Sequence, residues 1–390
     1  MEIISRKMQP ELKLAAKETP IVALLGPRQS GKTTLTRHCF PDHEYVSLED
    51  LDKRNFAISD PIGFLNRYKK GAIFDEVQRV PALFSFLQTK VDRDDTPGRF
   101  ILTGSHQFHL VEQITQSLAG RISLLRLLPF SMEELAESKT EVGDLYSHLI
   151  KGQYPRIWHQ NIRPERWLSN YFETYVQKDV RQIKNISDLN TFVTFVKMLA
   201  ARSGQLLNLS SLGNDCGISH NTASSWLSVL EGSFIVFRLY SHHKNFNKRL
   251  IKTPKIYFYD SGLACFLLGI GDSDQLMSHS MRGGIFEGFI ISESLKYFHN
   301  SGKNPPLYFW RDKTGNEVDL LVEHGAKLFP IEIKSGSTIA SDFFKGLNYW
   351  NKLSQSDGES ALIYGGDDSH KRLSTHVISW KDPKLTDILN

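Results

Sequence analysis

Residues 26–34 read GPRQSGKTT and follow directly on the apolar run IVALL. Five apolar residues bounded by a turn signal suit a strand buried on both faces, as in a parallel sheet. Glycine at positions 26 and 31 lets the chain curl where a Cβ would stand in the way. The segment beyond, LTRHCF, has the composition to open a helix. Strand, curl and helix start, in that order, turn successive backbone N–H groups toward one point, with the positive end of the helix dipole behind them. The result is a cradle for phosphate.

Gly26, Gly31, Lys32 and Thr33 satisfy the spacing GxxxxGK[ST], with Pro27, Arg28, Gln29 and Ser30 forming the loop between the glycines and Thr34 continuing into the helix. At these positions Lys32 is expected to reach the β- and γ-phosphates of a nucleotide and the Thr33 hydroxyl to hold magnesium. A nucleotide's phosphates and Mg2+ are therefore the expected ligands. A second strand, in GAIFDEVQ, ends in acid: Asp75 is placed to hold the magnesium, directly or through water, and Glu76 to orient and activate the attacking water. The strand of RFILTGSHQ ends in small polar residues, so Ser105, or Thr103, is a candidate to sense the γ-phosphate. Arg121 in SLAGR is a candidate phosphate-sensing arginine, within the subunit or reaching into a neighbour's site, with a surface ion pair as the alternative.

Composition narrows the setting. A chain of 390 residues calls for two to four domains, and its net charge of +4 is too small to announce a nucleic-acid binder unaided. Cys39, Cys216 and Cys265 are far apart with no CxxC, which argues against a disulfide framework or a zinc site and fits a reducing cytoplasm. No apolar run approaches the roughly 20 residues of a spanning helix, so no membrane role is expected.

The order of patterns implies an α/β protein of four units. Residues 1–130 alternate strand-like runs with helical stretches, which implies a parallel sheet covered by helices. Residues 131–200 carry apolar residues at three- and four-residue spacing and read as a helical subdomain. Residues 201–272 read as helix, turn, helix and two strands, a winged-helix pattern, and 280–390 as αβββαβ, a separate small α/β domain.

The ordered set GPRQSGKTT, AIFDEVQ, ILTGS, LAGR, LLPFSMEEL, WRD, EVDLLV and IEIKSG resembles the AAA-type ATPases of bacteria and archaea whose C-terminal half is a domain of unknown function. The resemblance spans nearly the whole chain. It implies an ATP-binding, ATP-hydrolysing core with the roles given above.

Within residues 280–390, Asp319 of EVDLLV and the pair Glu332 and Lys334 of IEIK fall on consecutive expected strands, where period-2 alternation lets all three side chains share one face. With Glu287 on the preceding helix, the carboxylates would suit magnesium or manganese, and Lys334 would steady developing negative charge. This is similar to the PD-(D/E)xK, restriction-endonuclease-like fold, with Val318 where the motif has proline. Such folds also persist as inert scaffolds, and the sequence leaves both open. In the helix-turn-helix stretch Ser219 is expected to cap a helix bearing His220, Asn221, Thr222 and Ser225. The connection HHKNFNKRLIKTPK, with Lys244, Lys248, Arg249, Lys252 and Lys255, lies where a wing would track DNA phosphates. Two functions follow: an ATP-driven enzyme acting on DNA, or a nucleotide-switched module that docks a protein partner or a second copy of itself.

Overall fold

The computed structural model describes residues 4–105, 118–138, 140–180, 186, 188–242, 251–354 and 358–389. The first part runs α1 (Gln9–Glu18), β1 (Ile21–Leu25), α2 (Lys32–Cys39), β2 (Glu44–Ser47), α3 (Leu51–Ser59), α4 (Pro61–Arg67), β3 (Ala72–Asp75), α5 (Leu83–Arg93), β4 (Phe100–Gly104) and β5 (Ile122–Arg126). The strands form one parallel sheet in the order β2-β3-β4-β1-β5. β1 is apolar throughout because helices cover both its faces: Ile21, Ala23 and Leu25 pack with Phe64, Phe74 and Leu87, while Val22 and Leu24 pack with Leu12 and Leu35. The loop after β1 leaves the carboxyl edge of the sheet where the strand order reverses, the usual place for a ligand in an open α/β sheet.

The middle part is mainly helical: α6 (Met132–Glu137), α7 (Leu145–Lys151), α8 (Pro155–Gln160), α9 (Pro164–Tyr171), α10 (Leu189–Ala200), α11 (Leu209–Cys216) and α12 (His220–Gly232), then β6 (Val236–Leu239), β7 (Lys255–Phe258), α13 (Ser261–Leu267) and α14 (Ser273–Ser278). α9 passes into a π-helical stretch, Phe172–Val180. Local chemistry sets several starts. A capping box of Ser131 and Glu134 opens α6, Asn208 caps α11 through Ser211 N, and Ser219 caps α12 through Thr222 N. β6 and β7 pair antiparallel, and one aromatic-rich core holds the helices together, with Trp226 edge-on to both Phe192 and Phe195.

The last part begins with α15 (Arg282–Asn300), followed by β8 (Leu307–Arg311), β9 (Glu317–His324), β10 (Lys327–Lys334), α16 (Lys345–Ser354), β11 (Ser360–Tyr364), β12 (His370–Arg372) and β13 (Thr375–Ser379). The sheet order is β12-β13-β11-β10-β9-β8, antiparallel from β8 to β10 and parallel from β10 through β11 to β13. β12 and β13 were not expected from the sequence: β12 is three exposed polar residues, and carries no apolar signal. Among the described residues no helix is long and apolar enough to cross a membrane.

Candidate functional site

The loop between β1 and α2 is closed by its own atoms. Gly26 has φ +159°, and a Cβ there would lie 2.0 Å from the Leu127 carbonyl oxygen. Gly31, at φ +94°, turns the chain into α2. Lys32 is 5% exposed, and its Nζ donates to the carbonyl oxygens of Gly26 at 2.9 Å and Pro27 at 2.8 Å. Burial lowers its pKa, against the pull of the Glu76 and Asp75 charges. The Ser30 hydroxyl, fully buried, has no hydrogen-bond partner among the described residues.

The neighbouring strands bring the acidic pair to the same edge. Thr33 Oγ1 donates to Asp75 Oδ2 at 3.0 Å, Tyr45 OH donates to the same oxygen at 2.6 Å, and Thr103 Oγ1 donates to Asp75 Oδ1. Ser105 Oγ donates to Glu76 Oε2 at 2.9 Å, and Gln78 Nε2 donates to that oxygen as well. Glu76 holds a left-handed backbone, φ +55°, which aims its side chain away from the line of β3. A hydroxyl and a carboxylate side by side are a hard-oxygen donor set that suits magnesium, and the glycine-bounded curl suits the phosphates. The residues therefore fit Mg2+ and ATP. Arg28, also in the loop, pairs with Glu49 at 3.2 Å, and Gln29 takes the left-handed region at φ +64°.

Arg121 is not brought to this edge. β5 runs parallel to β1 and pairs Ile122 with Ile21, so Arg121 stands at the end where β1 begins, opposite the loop that follows Leu25. There it forms an ion pair with Asp92. Other arginines are close instead. Arg6, 7% exposed, donates to Ser30 O at 2.7 Å and Leu128 O at 2.7 Å, and pairs with Glu134 at 3.0 Å. A cavity of about 410 Å³ opens beside it, lined by Ile4, Gly31, Thr34, Leu35, Phe130 and His159. A second, of about 440 Å³, sets Arg156 and Arg166 beside the loop residue Gln29. No spacing rule marks these residues, because they reach the loop from distant segments.

The second group of candidates also comes together, with changes. β9 and β10 pair in a register that places Ile331 against Leu320, so Asp319 and Glu332 follow next to one another. Lys334 Nζ bonds Asp319 Oδ2 at 2.9 Å and Glu332 Oε1 at 2.7 Å, and Ile333 N donates to Asp319 Oδ2 at 2.9 Å. Burial, then the Asp319 charge, pushes Glu332 up to about 8. Glu287 gathers instead with Glu317 and Asp319, their oxygens within 4.8 Å of one another. Glu317 was missed, although it lies two residues before Asp319 and so on the same face of β9. Lys255, expected in an exposed wing, is 3% exposed and pairs with Glu287 at 2.7 Å and with Glu317. It starts β7 as a buried strand residue, which overturns its place in a basic patch. Although burial works against its charge, Glu287, Glu317 and Asp319 hold its pKa above the usual lysine range. Lys252 is exposed, as are His220 and Asn221, with Thr222 and Ser225 half-buried; Lys244, Lys248 and Arg249 lie outside the described residues.

A parallel sheet with a phosphate-binding loop at its reversal point, and an acidic pair on the neighbouring strand, defines a P-loop nucleoside-triphosphatase core. Family models agree in order along the chain: an AAA domain over residues 18–136, a domain of unknown function (DUF8612) over 142–274, and another (DUF4143) over 282–382. An uncharacterized protein of Mycobacterium tuberculosis is 31% identical over 343 residues, covering 87% of this chain and 75% of that one. One of Haemophilus influenzae is 22% identical over 304 residues, 68% of this chain and 74% of that one. Among solved structures, a Walker-type ATPase of Pyrococcus abyssi covers 68% of this chain and 96% of its own at 15% identity, with a TM-score of 0.45. The chain belongs to one family with the mycobacterial protein and is an AAA-type P-loop ATPase with a C-terminal domain of unknown function.

Proposed function

We propose that this protein hydrolyses ATP and uses the cycle to act on DNA through units at 201–272 and 280–390, with the ATPase unit at 1–130 and a helical subdomain at 131–200. The observation that carries hydrolysis is the double pairing at the loop mouth, Thr33 with Asp75 and Ser105 with Glu76. Bound ATP with magnesium supplies the phosphoanhydride and the charge that makes its γ-phosphorus open to attack. Lys32 exchanges its loop carbonyls for phosphate oxygens, and Thr33 and Asp75 hold the metal. Glu76 orients a water and takes its proton, while Ser105 registers the γ-phosphate from the adjacent strand. Arg156 and Arg166 take the charge-sensing place that Arg121 does not reach from within the subunit. The adenine base fits the cavity beside Leu35 and His159.

Support for DNA comes from two arrangements. α11, its turn and α12, followed by the β6–β7 hairpin, match the order of a winged helix and expose His220, Asn221 and Lys252. The α15–β8–β9–β10 unit carries Glu287, Asp319, Glu332 and Lys334 in the order of a PD-(D/E)xK nuclease, where magnesium or manganese would be held. One observation favours a second reading, a nucleotide-switched module with an inert nuclease-like unit docking a protein or another copy: Lys255 and Lys334 already sit among those carboxylates. The three free thiols suit a cytoplasmic setting.

Steady-state ATP hydrolysis measured with and without DNA separates the two. The first reading predicts stimulation by DNA and, with magnesium or manganese, cutting of labelled DNA that Asp319→Ala abolishes. Indifference of the ATPase to DNA, with no binding at low salt, sinks it and leaves the switch.

A further inference from the structure

The phosphate loop is braced by a side chain that stands 24 residues before it. Arg6, just ahead of α1, is 7% exposed and commits each of its three guanidinium nitrogens to a different segment. Nη1 donates to Ser30 O at 2.7 Å, Nη2 to Leu128 O at 2.7 Å and Nε to Glu134 Oε1 at 3.0 Å. Its Cζ lies 5.0 Å from the centre of the Phe130 ring. Glu134, 1% exposed, is committed in turn: Oε1 also accepts from Lys7 N at 2.8 Å, and Oε2 accepts from Ser131 N at 2.9 Å. The buried cation thus has a buried anion, and the guanidinium is held in one orientation.

What this does to the loop follows from the peptide bond. The Ser30–Gly31 unit is planar, so a carbonyl turned toward Arg6 sends the Gly31 N–H the opposite way. Gly31 opens α2 at φ +94°, and a Cβ there would lie 3.3 Å from Arg6 Nη1, so the guanidinium rests directly against this peptide. The same group fixes the segment behind the loop. Leu127 N donates to Leu25 O at 2.7 Å, and Leu127 O stands 2.0 Å from where a Gly26 Cβ would fall. Arg6 holds the next carbonyl, Leu128 O. One side chain therefore orients a peptide of the curl and the chain on which the curl rests.

We propose that Arg6 is a positioning residue for the nucleotide's phosphates: by holding the Ser30 carbonyl it turns the Gly31 N–H into the cradle, where that amide donates to phosphate oxygen. Its own nitrogens are engaged by protein acceptors, so it acts through the backbone and not by touching phosphate. The planar fork is what the task requires, because a single ammonium cannot serve acceptors in three directions at once. The inference rests on the reading of the loop as a nucleotide cradle and is independent of what residues 201–390 do.

The test is calorimetric titration of ADP with magnesium into the full chain as parent, Glu134→Gln and Arg6→Met/Glu134→Gln, with the thermal midpoint of each measured without nucleotide. Glu134→Gln leaves a buried cation without its anion and should lower the midpoint, while Arg6 still donates to Ser30 O. Adding Arg6→Met removes that cation, so the midpoint should recover, yet ADP should bind at least about fivefold more weakly than to Glu134→Gln. Stability and affinity then move in opposite directions, which a merely structural arginine would not produce. A smaller loss of affinity in the double variant overturns the proposal, and so does a loss accompanied by a further fall in midpoint. If either variant does not fold, Arg6→Lys, which keeps the charge against Glu134 without the fork, is held to the same loss of about fivefold against the parent. Failure of Arg6→Lys to fold as well overturns the proposal. A parent that binds no ADP sinks the nucleotide reading and this inference with it, whereas a parent that binds no better than the arginine variants overturns this inference alone.

Discussion

Glu76 occupies a backbone region that non-glycine residues seldom take, at φ +55° and ψ +47°. Such a conformation costs on the order of 1 kcal/mol and persists only where the surroundings hold it. Here Ser105 and Gln78 fasten the carboxylate, and the turn into residues 77–79 fixes the chain behind it. The strain sets an acid just beyond Asp75 rather than in line with it. His148 presents the opposite case, a titratable group with no task at either site. It is fully buried against Trp158, Phe289 and Trp380, with no hydrogen-bond partner at either ring nitrogen among the described residues, and burial pulls its pKa down to about 3. The unfolded chain takes up this proton near pH 6.5 and the folded chain only near 3. Stability is therefore whole above about pH 6.5 and falls as the pH drops through that interval, by on the order of 1 kcal/mol per pH unit. His299, also lowered to about 3 by burial, adds to the slope. His148→Phe should flatten the fall in thermal midpoint between pH 7 and pH 5 by several degrees, and an unchanged profile would remove His148 from the account.

At the scale of elements, the π-helical stretch after α9 carries Tyr175, whose hydroxyl lies 3.2 Å from Ser105 O and 3.3 Å from Ser233 O. One residue thus joins the end of β4, beside Glu76, to the start of β6, whose partner strand β7 carries Lys255. Tyr175→Phe leaves two carbonyls without this donor. It should cost about 1 kcal/mol, read as a fall in thermal midpoint, while nucleotide affinity stays within about twofold. Which elements were legible in the sequence follows from how local their causes are. β1, the glycine loop and the Asp75–Glu76 strand end announce themselves because curl, phosphate chemistry and strand register all act within a few residues. Arg121 takes the ion-pair alternative within the subunit because its place depends on strand direction: a parallel β5 puts the residue just before it at the far end of the sheet. Lys255 misled because a lysine in a basic stretch reads as solvated, whereas three carboxylates from α15 and β9 draw it inside. Arg6 left no trace, since its partners Ser30, Leu128 and Glu134 are remote in sequence.

For the whole molecule, the long helix α15 is the tie between the parts. Its Glu293 accepts from Met132 N at 2.7 Å and from Gln153 Nε2 at 2.7 Å, and its Lys296 donates to Phe130 O at 2.9 Å, all of them buried or nearly so. The same helix carries Glu287 of the carboxylate cluster, so the segment that leaves the ATPase sheet and the cluster share one rigid rod. The ATP-driven reading rests on turnover at the P-loop. The direct measurement is phosphate release from ATP with magnesium by the parent and by Glu76→Gln, alongside nucleotide binding by both. The account predicts that the parent turns over and that Glu76→Gln binds ATP with similar affinity yet releases phosphate at least about 100-fold more slowly. Release by Glu76→Gln at the parent rate would contradict it.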